Sequence, residues 1–216
     1  MRISSKGNQI FLREKIKFLP KENKFSFGSN PGLSPTEKFV LSRTQNSNNM
    51  FTIRKATVDD RFLIHELASR VWENTYGTIL SKEQLDYMFD MMYAPENIRK
   101  QMEEWHHQFF IISADNTPAG YLSVEKTGED TYNFQKIYSV PEAHGTGIGR
   151  FIIEQGVEYL RRIHPGPFTV ELYVNRQNPA VGFYEHMGLR KKDTRDYPIG
   201  NGYYMNDYIM EMRVDN

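Results

Sequence analysis

Cysteine is missing from all 216 residues of this chain. Its absence excludes a disulfide scaffold, a thiolate zinc site and any mechanism built on a cysteine nucleophile. It also suits a reducing compartment, so a cytoplasmic location is the expectation. Long apolar runs are missing too. Stretches such as Phe109 to Ile112 last only a few residues, against the roughly 20 that carry a helix across a bilayer, so no membrane partner is expected. Net charge is absent as well, 27 Lys and Arg balancing 27 Asp and Glu. That balance conceals a split: residues 1–49 hold nine basic side chains against three acidic ones, and the remainder holds eighteen against twenty-four. An acidic body lacks the basic stripe that replaces phosphate counterions, so no nucleic-acid partner is expected either.

The length fits one domain with an appendage. Residues 1–49 are rich in Lys, Ser and Asn, with clusters such as Gln45-Asn46-Ser47-Asn48-Asn49 and no sustained apolar period. Such a segment recovers little ordering entropy by burial, so a mostly disordered, non-functional extension is expected there. Arg13, Glu14 and Lys15 interrupt the apolar centre that a secretory signal needs. A transit peptide, or a natural start at Met50, are the other readings of this segment.

From Met50 the texture changes, and residues 50–216 read as the folded domain. Phe51 to Arg54 alternates like a half-buried strand. Thr57 with Asp60, and Ser81 with Gln84, read as capping boxes opening two helices. The first helix turns Ile64, Leu67, Ala68 and Val71 inward, the second Leu85, Met88 and Met92. Pro95 leads a third helix through Trp105. Strands follow at Gln108 to Ser113 and Gly120 to Glu125 around the turn Asp115-Asn116-Thr117-Pro118, then at Tyr132 to Val140. A helix from about Gly147 to Ile163 is stopped by Pro165-Gly166-Pro167, and Phe168 to Val174 is a strand. Asn178, Pro179 and Gly188 read as the N-cap, first residue and terminating glycine of a short helix. Strands near Leu189 to Arg195 and Tyr203 to Met212 complete the order β-ααα-βββ-α-β-α-ββ. This is a mixed α/β domain without an internal repeat.

The most informative segment is Ile137-Tyr138-Ser139-Val140-Pro141-Glu142-Ala143-His144-Gly145-Thr146-Gly147-Ile148-Gly149-Arg150, in which a strand ends and alternate glycines open an amphipathic helix. Glycine lets a backbone approach a ligand closely, and the unpaired amides of a helix start cradle anions. A tight turn without any ligand is the bland alternative. A P-loop would end in Gly-Lys-Ser/Thr, whereas Arg150-Phe151 follows Gly149. A dinucleotide fingerprint needs its third glycine one residue later. A diphosphate ligand survives; ATP and NAD fit poorly.

Together with Asn175-Arg176-Gln177-Asn178-Pro179-Ala180-Val181-Gly182-Phe183-Tyr184-Glu185-His186-Met187-Gly188-Leu189, this segment resembles the two signature elements of the Gcn5-related N-acetyltransferase (GNAT) superfamily. Within it, Tyr76, Ser81 to Met88, Lys136-Ile137-Tyr138 and Gly202-Tyr203 to Met210 look most similar to bacterial PaiA-like spermidine/spermine-type enzymes. The resemblance implies a mostly antiparallel twisted sheet of about six or seven strands flanked by helices, acetyl-CoA as co-substrate, and a small-molecule amine, a polyamine among the candidates, as acceptor. It implies a homodimer only as a family habit. His144, Gly145, Thr146, Gly147, Ile148, Gly149 and Arg150 would hold the diphosphate, His144 standing where the family has Gln or Arg. Ile137, Tyr138 and Ser139 would polarise the thioester carbonyl. Gln177 takes the family's Asn position and Asn178 lies one residue beyond, so both are candidates for contact with the cofactor. Tyr184 would protonate the departing thiolate, the alternative being a buried tyrosine with a satisfied hydroxyl.

Gln135 stands where some relatives carry a glutamate that serves as general base, which leaves a water chain, Glu125 or Glu171 to take the proton. Tyr76, between the first two helices, is a candidate substrate contact or an ordinary packing residue. The Met88, Met91, Met92 and Tyr93 group reads as core or as the lining of an acceptor groove. Six histidines show no paired helical spacing, and His106-His107 would face opposite sides of a strand, so no metal site is expected. Two alternatives stay open: a protein N-terminus or lysine as the acceptor, and a CoA-binding sensor with little turnover.

Overall fold

The computed structural model describes residues 38–39 and 50–215. The expected disorder of residues 1–49 therefore lies, apart from 38–39, outside the described residues. Strand β1 (Lys38–Phe39) pairs with the edge of β2 (Phe51–Lys55). β2 buries Phe51 and Ile53 and leaves Thr52 and Arg54 half-buried, as its alternation requires. The Thr57–Asp60 capping pair closes a short 3-10 turn, Thr57 N donating to Asp60 Oδ2 at 2.8 Å. Arg54 grips the same carboxylate with two hydrogen bonds of 2.8 and 2.6 Å.

Helix α1 (Arg61–Tyr76) buries Ile64, Leu67, Ala68, Val71 and Trp72. Helix α2 (Lys82–Tyr93) is capped by Ser81 Oγ, which accepts from Gln84 N at 3.2 Å. Only half of that capping box forms, because the Gln84 amide donates instead to Tyr204 O, 3.2 Å away. Met91 rather than Met92 is the buried partner of Met88 on this helix. Helix α3 (Pro95–Glu103) has proline at its first position. It ends before Trp105, and His106, at φ +58°, lies in the turn that follows. His106 is therefore exposed and His107 buried without either standing on a strand.

Strands β3 (Gln108–Ala114) and β4 (Thr117–Lys126) meet at a two-residue turn of Asp115 (φ +48°) and Asn116 (φ +66°). The turn is shorter than its sequence suggests because Thr117 and Pro118 already pair with Ala114 and Ser113. β5 (Thr131–Ser139), α4 (Ile148–Ile163) and β6 (Phe168–Asn175) form a parallel crossover unit. Helix α5 (Val181–His186) begins later than expected: Asn178 Oδ1 accepts from Ala180 N at 2.9 Å, holding Asn178 and Pro179 in a turn ahead of the helix. The hairpin of β7 (Arg190–Gly200) and β8 (Tyr203–Val214) turns on Asn201-Gly202, both at positive φ.

The sheet order is β1-β2-β3-β4-β5-β6-β8-β7, with β5–β6 the parallel pair. Seven strands from residue 51 onward follow the predicted order. Tyr121 meets Tyr93 of α2, with ring centroids 6.1 Å apart, while its neighbour Leu122 lies against Gly156 of α4. Successive strand side chains point to opposite faces, so α2 and α4 cover opposite sides of the sheet. β5 and β6 pair only from Thr131–Thr169 to Asn133–Glu171, then part. Where they part, β5 carries a bulge: Phe134 pairs with Val124 and Lys136 with Ser123, leaving Gln135 as the extra residue. The separation opens the sheet where ligands can enter.

Candidate active site

The glycine segment leaves β5 through a 3-10 turn at Pro141–Ala143 and reaches α4 with Gly145 at φ +75° and Gly147 at φ +93°. A Cβ built on either would meet no protein atom within 4 Å, so the bend faces open space. Phe151 N is the first amide of the helix with a backbone acceptor, Gly147 O at 3.1 Å. The amides of Gly145, Gly147, Ile148, Gly149 and Arg150 have no backbone acceptor among the described residues. A row of free N–H groups at the start of a 16-residue helix is a fit for two linked phosphates.

This bend floors a cleft of about 840 Å³. Of the residues predicted from sequence, Ile137, Tyr138 and Ser139 line it from β5, and His144, Gly145, Gly147, Ile148, Gly149 and Arg150 from the glycine segment. Tyr76, Asn178 and Tyr184 complete the opposite walls. Two expectations need correction. Thr146 is outside the lining, because its hydroxyl turns back to donate to Ala143 O at 2.6 Å. Gln177 is exposed and outside it too, its backbone N–H donating to Asn175 Oδ1 at 2.9 Å, which leaves Asn178 as the residue of that turn facing the cleft. His144 Nε2 donates to Ser139 O at 3.1 Å, tying the loop to the end of β5. Arg150 donates to His186 Nε2 at 3.3 Å and lies 3.6 Å from Glu154, so its charge is partly shared before any ligand arrives.

Tyr184 sits on α5 with its hydroxyl unpartnered among the described residues. Burial, with Tyr76 close by, pushes its pKa well above that of an ordinary phenol. It stays protonated at neutral pH, as an acid must.

A smaller cavity of about 120 Å³ adjoins the cleft. Tyr76, Gln135, Tyr138 and Tyr173 line both, so these four form the passage. The Tyr76 and Tyr138 hydroxyls are hydrogen-bonded at 2.9 Å, and burial raises the pKa of each. Trp72, Met88, Met91 and Met92 supply much of the apolar wall. The β7–β8 hairpin closes over it: Tyr87 Oη donates to Ile199 O at 2.7 Å, and the Tyr87 and Tyr203 rings are 5.8 Å apart. Charged groups in the lining are Lys136, Arg195 and Asp207. Lys136 Nζ donates to Gln101 Oε1 at 2.6 Å. Arg195 donates through Nε and Nη2 to Asp207 Oδ2 at 3.1 and 2.9 Å.

Sequence reasoning missed Asp207 and Arg195, since neither sits in a local motif and their strands carry other charged residues as well. The two glutamates considered as proton acceptors line neither cavity. Glu125 lies behind Gln135, whose amide donates to it at 2.5 Å, with His107 Nε2 3.4 Å away. Glu171 is paired with Lys192 at 2.8 Å. Among the described residues no group of three or more His, Cys, Asp or Glu is placed to hold a metal ion.

Residues 78–209 match the acetyltransferase (GNAT) domain family. A spermidine N(1)-acetyltransferase of Thermoplasma acidophilum is 25% identical over 170 residues, covering 76% of this chain and 98% of its own. An uncharacterized N-acetyltransferase of Methanocaldococcus jannaschii is 24% identical over 168 residues, covering 64% and 72%. Among solved structures, a PaiA N-acetyltransferase of Thermoplasma acidophilum in complex with coenzyme A superposes with a TM-score of 0.63 at 24% identity, over 76% of this chain and 99% of that one. Mutant forms of the spermidine/spermine N-acetyltransferase SpeG of Vibrio cholerae give 0.52 at 22% identity, over 76% and 93%. These superpositions establish the fold. With the family match spanning more than half of the sequence and both signature segments meeting at one cleft, this chain belongs to the GNAT family and is an N-acetyltransferase.

Proposed function

We propose that this chain moves the acetyl group of acetyl-CoA to a primary amine of a small molecule by direct attack, with both substrates bound at once. The observation that carries this reading is the junction of the two cavities at Tyr76 and Tyr138, where β5 and β6 part beside the unpartnered Tyr184 hydroxyl. Acetyl-CoA in the cleft supplies an activated thioester carbonyl. The amides of Gly145 and of Gly147 to Arg150 hold the diphosphate. The edge of β5 beside Tyr138, no longer paired with β6, offers the backbone donors that its antiparallel pairing with β4 leaves free, those of Ile137 and Ser139, toward the carbonyl oxygen as it gains charge. Donors of this kind contribute roughly 3–4 kcal/mol elsewhere. Tyr184 gives its proton to the departing sulfur.

The roof formed by the β7–β8 hairpin and the cavity's size, about 120 Å³, favour a small acceptor over a peptide. A polyamine is the first acceptor to test, supported by the name of the Thermoplasma relative and by the acidic surplus of residues 50–216. The experiment is thiol release from acetyl-CoA across spermidine, spermine, amino acids, aminoglycosides and peptides, with coenzyme titration alongside. Turnover on small amines is expected. Turnover confined to peptides would transfer the activity to a protein acceptor, and association without turnover on any amine would leave a CoA sensor.

A further inference from the structure

We infer that Asp207 receives the acceptor amine, its Oδ1 binding the incoming ammonium and taking a proton from it. This rests on the acetyltransferase reading and assigns the step that reading leaves without a residue. A lysine-like amine has a pKa near 10 and arrives protonated; it becomes a nucleophile only after losing a proton. Gln135, at the bulge beside the passage, ends in an amide that cannot accept one. Glu125 stands behind it and Glu171 is held by Lys192. Among the described residues Asp207 is the sole carboxylate in the lining of either cavity.

Its placement suits the task. Asp207 pairs in register with Asn175, the last residue of β6, at the mouth of the opening between β5 and β6. Both Arg195 hydrogen bonds go to Oδ2, and Oδ1 has no partner among the described residues. Arg195 itself is stacked 3.5 Å over the Tyr173 ring, which holds the carboxylate's free edge in one direction. Aromatic faces at Trp72, Tyr76 and Tyr173 surround the cavity and favour a cation. Burial raises the Asp207 pKa against the opposing pull of Arg195. The step balances as follows: one ammonium N–H breaks and Oδ1–H forms; the freed lone pair makes the C–N bond; the C–S bond breaks and the thiolate takes the Tyr184 proton; the second proton of the acylated nitrogen passes to the Tyr184 oxygen, leaving a neutral amide, and Oδ1 releases its proton to solvent.

The test is Asp207→Asn, which keeps shape and removes proton acceptance. The expected result is a kcat at least about a hundredfold lower, the usual scale for a positioned base, with acetyl-CoA affinity within about twofold by titration. Asp207→Ala should regain part of that rate on adding formate, which a purely structural partner of Arg195 would not show. A folded Asp207→Asn enzyme turning over at the wild-type rate overturns the inference. Should both variants fail to fold, competitive inhibition of the unaltered protein decides: a protonated tertiary amine should inhibit at least about tenfold better than its uncharged carbon isostere, and equal inhibition overturns the assignment. Absence of acetyl-CoA association would instead fail the acetyltransferase reading, so the two failures are distinguishable.

Discussion

The hydroxyl oxygens of Tyr76 and Tyr138 lie 2.9 Å apart, joining the last turn of α1 to β5 at the passage between the two cavities. Removing one leaves the other without its hydrogen-bond partner at a half-buried position. Tyr76→Phe should therefore cost about 1 kcal/mol of stability and lower kcat/KM for the amine by about tenfold, with acetyl-CoA affinity nearly unchanged. Thermal melts and thiol release measure both. An unaltered amine kcat/KM would make Tyr76 a packing residue.

Tyr184 carries the second prediction. Its hydroxyl makes no hydrogen bond among the described residues, so Tyr184→Phe should leave folding and coenzyme titration as they are. Turnover should fall by about a hundredfold, the scale of a general acid. A Phe variant with the original rate rules out the acid role.

Gly147 at φ +93° bends the chain toward open space that no protein atom fills. Gly147→Ala should lose about 1 kcal/mol through the strained backbone and place a methyl group where the phosphates would lie. Acetyl-CoA affinity should drop by about tenfold or more, about 1.4 kcal/mol, read by titration calorimetry.

Asp60 gives a pH-dependent prediction away from the site. Arg54 hydrogen bonds, aided by the Thr57 amide and hydroxyl, hold its carboxyl below the ordinary aspartate range. A depressed folded pKa means the stabilisation is complete above the unfolded value near 3.9 and is lost as pH falls through the lower folded value. The Arg54 side chain is 38% exposed, so solvent screening limits the effect. Asp60→Asn should cost about 1 kcal/mol at pH 7. That difference should shrink toward zero in acid, as denaturant melts at neutral and acid pH would show; a gap of equal size at both would exclude ionisation as its cause.

Local signals carried most of the fold. The cap at Ser81, the proline at position 95, the apolar face of α4 and the glycine bend each act within one turn of chain, where hydrogen bonds and φ restrictions depend on adjacent residues. Errors arose where a distant partner intervened. Gln84 left its capping box for Tyr204, a residue 120 positions away. Helix α5 started late because Asn178 stayed bonded in the turn leaving β6. Thr146 has suitable chemistry, but its turn uses the hydroxyl internally, and the turn leaving β6 sets Gln177 out on the exposed surface.

Element order, the glycine bend and the place of Tyr184 on the short helix after β6 were legible in sequence alone, because glycine spacing and periodicity are properties of neighbouring residues. Tertiary structure alone decided which acid lines the smaller cavity. Sequence pointed to Glu125 and Glu171; the bulge at Gln135, the Lys192 contact and the register of β6 on β8 leave Asp207, among the described residues, as the carboxylate in the lining. A side chain's access to a cavity is set by strands brought together from far along the chain, and no local pattern encodes it.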